Sequence, residues 1–318
     1  MFHFDRGLKL TAIDLAIDVC RRQPRGFISH AHADHMAHHE LAFCTPTTAR
    51  FYQHRLGRRR VIEMPFGETI DRDGIALTTF PAGHILGSAM LLANDGARRL
   101  LYTGDFKLGE SATAEQAEFP GTDVLIMECT FGNAKYRLPP RQQVIDELCG
   151  RIRDEFATGR TPVIHAYTLG KAQEITKILS DNGFRVQQHP KIHTISQTYE
   201  QCGCVLGNYS LYDGKLLDEH VLVLPPKSQR GQTIGVSCTT SFMLTGWAMD
   251  YNAKYRYGVD HVLPLSDHAD YDELFEAVAL CGAGVIYCTH GPESFSQQLR
   301  DAGFNAFTLG RDTQLTLF

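Results

Sequence analysis

The stretch Phe27-Ile28-Ser29-His30-Ala31-His32-Ala33-Asp34-His35 decides how the rest of the chain is read. It is H-x-H-x-D-H at the end of an apolar, strand-like run. Three imidazoles and a carboxylate fall within six residues. Protonated imidazoles this close would repel, and buried without partners the set would waste its desolvation. A divalent cation removes both costs, and imidazole nitrogen with carboxylate oxygen is the donor set a zinc-like ion takes. Ala31 and Ala33 are small enough to let the alternate side chains converge.

The remaining donors lie at the ends of other apolar runs. Residues 76–80 read as a strand and lead into Pro81-Ala82-Gly83-His84; residues 99–102 lead into Thr103-Gly104-Asp105; residues 285–288 lead into Thr289-His290. Polar residues that follow buried strands sit where a sheet meets a loop-built cleft. Gly83, Gly104 and Gly291 beside them permit tight turns and close approach of a substrate. Together His30, His32, Asp34, His35, His84, Asp105 and His290 make seven donors, enough for two ions sharing one carboxylate. His3, His38, His39, His54, His165, His189, His193, His220 and His261 lack this setting and are read as surface or core residues.

Around these motifs, apolar strands alternate with amphipathic helices, which defines an α/β protein. Asn94-Asp95-Gly96 marks a hairpin before residues 99–102. Val144, Ile145, Leu148, Ile152 and Phe156 share one helical face, giving a helix over 141–158 behind Pro139-Pro140 and closed by Gly159. Helix–strand units are expected over 161–166 and 169–182, followed by a less regular stretch over 191–232. Residues 138–257 read as an insertion that divides a flanking domain into 1–137 and 258–318.

The nine cysteines are scattered, mostly in apolar runs, and read as reduced thiols; Cys202 and Cys204 lack the second pair a zinc ribbon needs. A net charge of −5 argues against a large phosphate-tracking surface, leaving the Arg55, Arg58, Arg59 and Arg60 cluster as a local candidate for phosphate contact. The first ten residues carry charges and no long apolar run, so no secretory signal and no membrane span is expected, which favours the cytoplasm.

The ordered set H-x-H-x-D-H, Ala82-Gly83-His84, Thr103-Gly104-Asp105 and Thr289-His290-Gly291 resembles the metallo-β-lactamase superfamily. The resemblance implies an αβ/βα sandwich with the site at one edge. It implies His30, His32 and His84 on one metal, Asp34, His35 and His290 on a second, and Asp105 bridging. Phe80 to Ala89, Glu128-Cys129-Thr130-Phe131-Gly132, Leu169 to Glu174, Ser266-Asp267-His268 and Thr289-His290-Gly291 resemble successive motifs of the β-CASP nucleases. Lys135 to Pro140 and Gly246-Trp247-Ala248 resemble the short bacterial members of that branch, ligase-associated DNA exonucleases or mRNA 3′-end-processing-factor-like proteins. The inserted cassette is shortened relative to the eukaryotic nucleases. Histidine at position 290 is associated with RNA-processing members, whereas the bacterial subgroup points to DNA.

On this resemblance two divalent ions, zinc or alternatively manganese, would be held with Asp34 among the catalytic groups. His268 would be the general acid, since an imidazole titrates near neutral pH, and Glu128 would orient it. Lys171, opening a helix after Gly170, is a candidate phosphate contact, with a solvated lysine as the alternative. Gln314-Leu315-Thr316-Leu317-Phe318 resembles the pentapeptide by which bacterial replication and repair proteins bind the sliding clamp, through Gln314, Leu315, Leu317 and Phe318; the alternative is a last edge strand covering the core. The expected function is an exonuclease on DNA ends in repair, partnered by nucleic acid, the clamp and a DNA ligase. The alternatives are a ribonuclease of the 3′-end-processing type, a small-molecule metallo-hydrolase and a non-catalytic scaffold.

Overall fold

The computed structural model describes residues 2–5, 7–226, 238–310 and the backbone of 313–314. It forms two compact units, one of Met1–Glu110, Ala114–Ala134 and His268–Phe318, the other of Ser111–Thr113 and Lys135–Asp267. No helix among the described residues is long and apolar enough to cross a membrane.

In the first unit the order of apolar residues creates two layers at once. Leu91, Leu100, Val124 and Ile126 face one core, while their neighbours Met90, Leu92, Leu101, Leu125 and Met127 face another. A strand buried on both faces reads as a continuous apolar run, which is what Ala89–Asn94, Arg99–Tyr102 and Val124–Glu128 show. The inner core joins this sheet to a second one through Phe2, Leu15, Ile17, Phe27 and Phe43. The outer core is closed by helices Tyr271–Cys281 and Ser294–Asp301, through Leu274, Val278, Phe295 and Leu299. Helix Pro46–Leu56, capped by the Thr45 hydroxyl on Thr48 N–H at 3.1 Å, packs beside Val61–Glu63 of the second sheet. The result is an αβ/βα sandwich. The Asn94-Asp95-Gly96 turn forms as its residues dictate: Asp95 Oδ1 accepts from the N–H of Ala97 and Arg98.

Topology then brings the polar strand ends together. Leu15–Ile17 and Arg25–Phe27 are parallel. Arg99–Tyr102, Val124–Glu128 and Val285–Thr289 are parallel. Ile75–Pro81 runs the same way as these, because two antiparallel steps separate it from Arg99–Tyr102. The residues following each strand therefore emerge on one edge of their sheet.

The second unit is a parallel sheet in the spatial order Tyr209–Leu211, Arg185–Gln188, His220–Leu224, Thr161–His165, Thr239–Leu244, His261–Leu263. Helices Arg141–Ala157 and Lys171–Asp181 pack their apolar faces into its core. One expectation is corrected here. The stretch after Lys191 is more regular than its composition suggests, with a helix Pro190–Gln201 and strands Tyr209–Leu211 and His220–Leu224. Pro190 starts the helix at a position that needs no N–H, and Ile192, Ile195, Ser196 and Tyr199 recur on its buried face.

Lys171 is buried at 1% exposure, and its Nζ lies 2.8 Å from Glu174 and 3.7 Å from Asp267. A solvated lysine is therefore not what the fold makes of it, and a phosphate would have to compete with Glu174 for its charge. Glu174 also takes the Arg141 guanidinium at 2.8 Å. Burial alone would raise the Glu174 carboxyl, but Lys171 and Arg141 hold it below the usual carboxylate range. A depressed folded pKa means that this group stabilises the fold fully above the unfolded value and less as pH falls through the folded one. Glu174→Gln, which takes the close carboxylate from the buried Lys171 and from the partly exposed Arg141, is expected to cost about 3 kcal/mol at pH 7. Urea unfolding should show the gap to the wild type narrowing below about pH 4.3, the unfolded carboxyl's range.

Candidate metal centre

The site grows from Asp105, which follows Arg99–Tyr102 through Thr103 and Gly104. Gly104 has φ +57°, and a Cβ there would lie 2.7 Å from the Ser29 Cβ, so the turn that delivers Asp105 against the histidine loop needs glycine. Asp105 Oδ2 then lies 3.5 Å from His30 Nε2, 3.3 Å from His35 Nε2, 3.9 Å from His84 Nε2 and 4.0 Å from His268 Nε2.

His32 Nδ1 stands 3.0 Å from His30 Nε2 and 3.2 Å from His84 Nε2. The donor atoms of His30, His32, His84 and Asp105 all lie within 4.8 Å of one another. A tetrahedral ion with metal–nitrogen bonds of about 2.0–2.1 Å needs nitrogen–nitrogen edges of about 3.3–3.4 Å, so this set fits one after only slight opening. The second set is looser. His35 Nε2 lies 3.8 Å from Asp34 Oδ2, whose side chain is 80% exposed, and the exposed His290 ring stands edge-on to His35 with centroids 5.7 Å apart. His290 has φ +54°, an uncommon left-handed conformation for a side-chain-bearing residue.

The outer hydrogen bonds fix which nitrogen each ring turns inward. Asp18, missing from the sequence-based set, is central to them. Its carboxylate accepts from the Ser29 N–H at 2.8 Å, the Ser29 hydroxyl at 2.6 Å, the Tyr102 hydroxyl at 2.9 Å and His35 Nδ1–H at 2.9 Å. With its hydroxyl proton committed to Asp18, Ser29 accepts from His30 Nδ1–H at 2.9 Å. Both rings thus keep an Nε2 lone pair for the interior, the arrangement that metal-binding imidazoles require. Asp18 directly follows the apolar strand Leu15–Ile17, the same signal that singled out His84, Asp105 and His290.

Electrostatics calls for one positive charge here. Burial, helped by His35 and His32, lowers His30 well below the imidazole range, so it is a neutral donor. Burial also opposes charge on His35, but Asp105 and Asp18 outweigh it and push His35 up to about 12. Burial works against the Asp105 anion as well, and His35 and His268 nevertheless hold it ionised. A proton on His35 thus occupies the electrostatic place a metal ion would take.

Glu128 and His268 form a second element beside this cluster. Glu128 is 1% exposed. Its Oε1 accepts from the Phe106 N–H at 3.1 Å and from His268 Nδ1–H at 2.8 Å, and its Oε2 accepts from the Thr130 N–H at 3.2 Å. Phe106 O in turn accepts from the Ala269 N–H at 2.6 Å. These bonds tie together the segments bearing Asp105, Glu128 and His268, and leave His268 Nε2 facing Asp105. Behind the histidine loop, Arg55 donates to Ala31 O at 3.0 Å and helps line a cleft of about 370 Å³ with Arg22, Met36 and His38. Arg59 lies against His38 at 2.6 Å. Lys171 belongs to the other unit. Leu315, Leu317 and Phe318 lie outside the described residues; Gln314 is described only as backbone, paired with His3.

The fold is a sandwich whose His/Asp cluster at a sheet edge could hold a metal ion, and the chain was compared with known proteins. No family model matches the chain. It is 38% identical over 319 residues to a protein of Opitutus terrae named Probable DNA ligase, an alignment covering 99% of this chain and 31% of that protein. It is 37% identical over 128 residues, 39% of the chain, to transcription termination factor FttA of Methanothermobacter thermautotrophicus, of which it covers 20%. It is 30% identical over 164 residues, 50% of the chain, to Endoribonuclease YSH1 of Candida albicans, of which it covers 18%. The chain thus spans about a third or less of each of these relatives. A solved protein of unknown function from Enterococcus faecalis shares the fold at a TM-score of 0.64 and 17% identity, over 92% of this chain and 80% of that one. The relatives named FttA and Endoribonuclease YSH1 support the resemblance to the metallo-β-lactamase superfamily and its β-CASP nucleases.

Asp18→Asn should keep the fold and weaken metal binding about 10- to 100-fold, the usual cost of losing the partner that orients a ligating histidine. Metal titration followed by calorimetry checks this, and an unchanged affinity would remove Asp18 from the site.

Proposed function

We propose that the chain is a metal-dependent phosphodiesterase acting as a nuclease, an exonuclease on DNA ends that serves repair in the cytoplasm. The observation that carries this reading is the His268–Glu128 pair at 2.8 Å beside the histidine–aspartate cluster. Hydrolysis of a phosphodiester must deliver a proton to the leaving alkoxide, which a carboxylate-oriented imidazole can do, whereas a thioester expels a thiolate that has less need of a separate acid.

His30, His32 and His84 would hold one ion, Asp34, His35 and His290 a second, and Asp105 both. When bound, such ions, zinc or alternatively manganese, activate water and neutralise phosphate oxygens. The chain's own residues do the rest. Asp18 and Ser29 keep the His35 and His30 lone pairs turned inward. Glu128 holds His268 Nδ1–H, so that a proton on Nε2 can pass to the departing oxygen. Asp34, at the exposed side of the cluster, is where substrate would first meet it. Arg22 and Arg55, at the cleft behind the histidine loop, suit the continuing phosphate backbone.

DNA is favoured by the relative named for a DNA ligase, which matches this chain along almost its whole length. A nuclease that trims ends and a ligase that joins them act on the same substrate in sequence, so a ligase is the natural partner. The clamp-like tail supports the same setting. A specific observation keeps the ribonuclease reading in view: His290 stands against His35, and the relatives named FttA and YSH1 match parts of the chain at 30–37% identity.

Labelled single- and double-stranded DNA and RNA, each assayed with zinc and with manganese, separate these readings; preferential loss of nucleotides from DNA ends is expected. Asp105→Ala should abolish hydrolysis and metal binding together. His268→Ala should slow cleavage by about 100-fold or more with metal content unchanged; loss of metal would make His268 a ligand instead. Deleting residues 314–318 should abolish clamp binding in a pull-down while leaving cleavage of naked DNA intact.

A further inference from the structure

Nine large apolar side chains are exposed among the described residues, and three of them, Met249, Tyr251 and Tyr255, fall within seven positions of the second unit. Tyr251 is 96% exposed and Tyr255 80%. They sit on a short, braced stretch. The Thr245 hydroxyl accepts from the Trp247 N–H at 3.3 Å, starting the turn Gly246–Met249, and Asp250 O accepts from the Ala253 N–H at 2.9 Å, leading into Ala253–Tyr257. The Asp250 carboxylate takes Lys135 Nζ at 2.8 Å, the Tyr136 hydroxyl at 2.8 Å and Arg256 at 3.2 Å. Tyr136 packs edge-on to Trp247 with centroids 5.3 Å apart, and Arg256 lies over the rings of Trp247 and Tyr257 at 5.8 and 4.9 Å.

Two properties of this surface stand apart from the rest of the chain. The segments 135–137 and 246–257 hold four cations, Lys135, Arg137, Lys254 and Arg256, against one carboxylate, Asp250, in a protein whose net charge is −5. Two of their five aromatic rings, those of Tyr251 and Tyr255, are moreover presented outward, where a fold would ordinarily cover them, with Trp247 half-buried beside them. A single-stranded nucleic acid offers the complement to both: flat bases that stack on exposed rings, and phosphates that pair with the interleaved cations. A base-paired helix hides its base faces and cannot use Tyr251 and Tyr255 in this way.

We propose that the surface formed by Trp247, Tyr251, Tyr255, Lys254 and Arg256 is a stacking platform for single-stranded nucleic acid. The proposal rests on the nuclease reading for its biological use, but binding can be measured without cleavage. Trp247 is the only tryptophan of the chain, so its fluorescence reports on this surface alone. Oligothymidylate titrated into the full-length protein in a chelator, which prevents hydrolysis, is expected to change that fluorescence saturably. Tyr251→Ala and Tyr255→Ala should each weaken the affinity, measured by anisotropy of labelled oligothymidylate, about tenfold, with unaltered metal content. Tyr251→Phe and Tyr255→Phe should bind like the wild type, because stacking does not need the hydroxyl. Lys254→Ala should lower the slope of log affinity against log salt by about 0.7.

If both alanine variants bind oligothymidylate like the wild type, the platform is wrong, and the surface serves a protein partner or none. The nuclease reading survives that result if the wild type still degrades DNA. If instead the wild type cleaves no nucleic acid, yet the tyrosine variants lose binding, the platform stands and the nuclease reading falls.

Discussion

Asp105 Oδ2 lies within 4.0 Å of four imidazoles, those of His30, His35, His84 and His268, and the residue is only 7% exposed. Removing a carboxylate from water costs several kcal/mol unless charge and hydrogen bonds compensate. Each feature around it follows from that constraint. Gly104 lets the backbone come close enough to bring Asp105 against the histidine loop. Asp18 binds the far side of His35 and, through Ser29, that of His30, leaving their inner nitrogens as donors. Glu128 does the same for His268 from another strand. The sheets serve this arrangement by sending every donor-bearing strand end to one edge.

The fold and the clustering of these side chains are legible in the sequence because the same local signature recurs: an apolar run buried on both faces, a small residue, then a polar donor. That signature located His84, Asp105 and His290, and the dense H-x-H-x-D-H string needed no context. Asp18 follows Leu15–Ile17 with no small residue between, and a single aspartate with no histidine nearby in sequence reads as a plain strand end. Its partners, Ser29, His35 and Tyr102, come to it only through parallel pairing and the meeting of two sheets. Lys171 failed to declare itself for the opposite reason. Its environment is made by Glu174 one turn on and by Arg141 from another helix, and a lysine at a helix start otherwise reads as solvated. Helix Pro190–Gln201 was obscured by the proline and histidines at its start, although its apolar spacing was present.

The two units divide the chemistry of the proposed enzyme. The histidine–aspartate cluster and the His268–Glu128 pair lie in the first unit. The second carries, on one braced turn, the aromatic and basic surface suited to unpaired bases.

The role proposed for the cluster about Asp105 is to hold two metal ions. Anomalous diffraction from crystals of the protein grown with zinc tests it directly. Two peaks are expected, one within bonding distance of His30, His32 and His84, the other of Asp34, His35 and His290, with Asp105 reaching both. A single peak, or density that leaves Asp105 unligated, would contradict it.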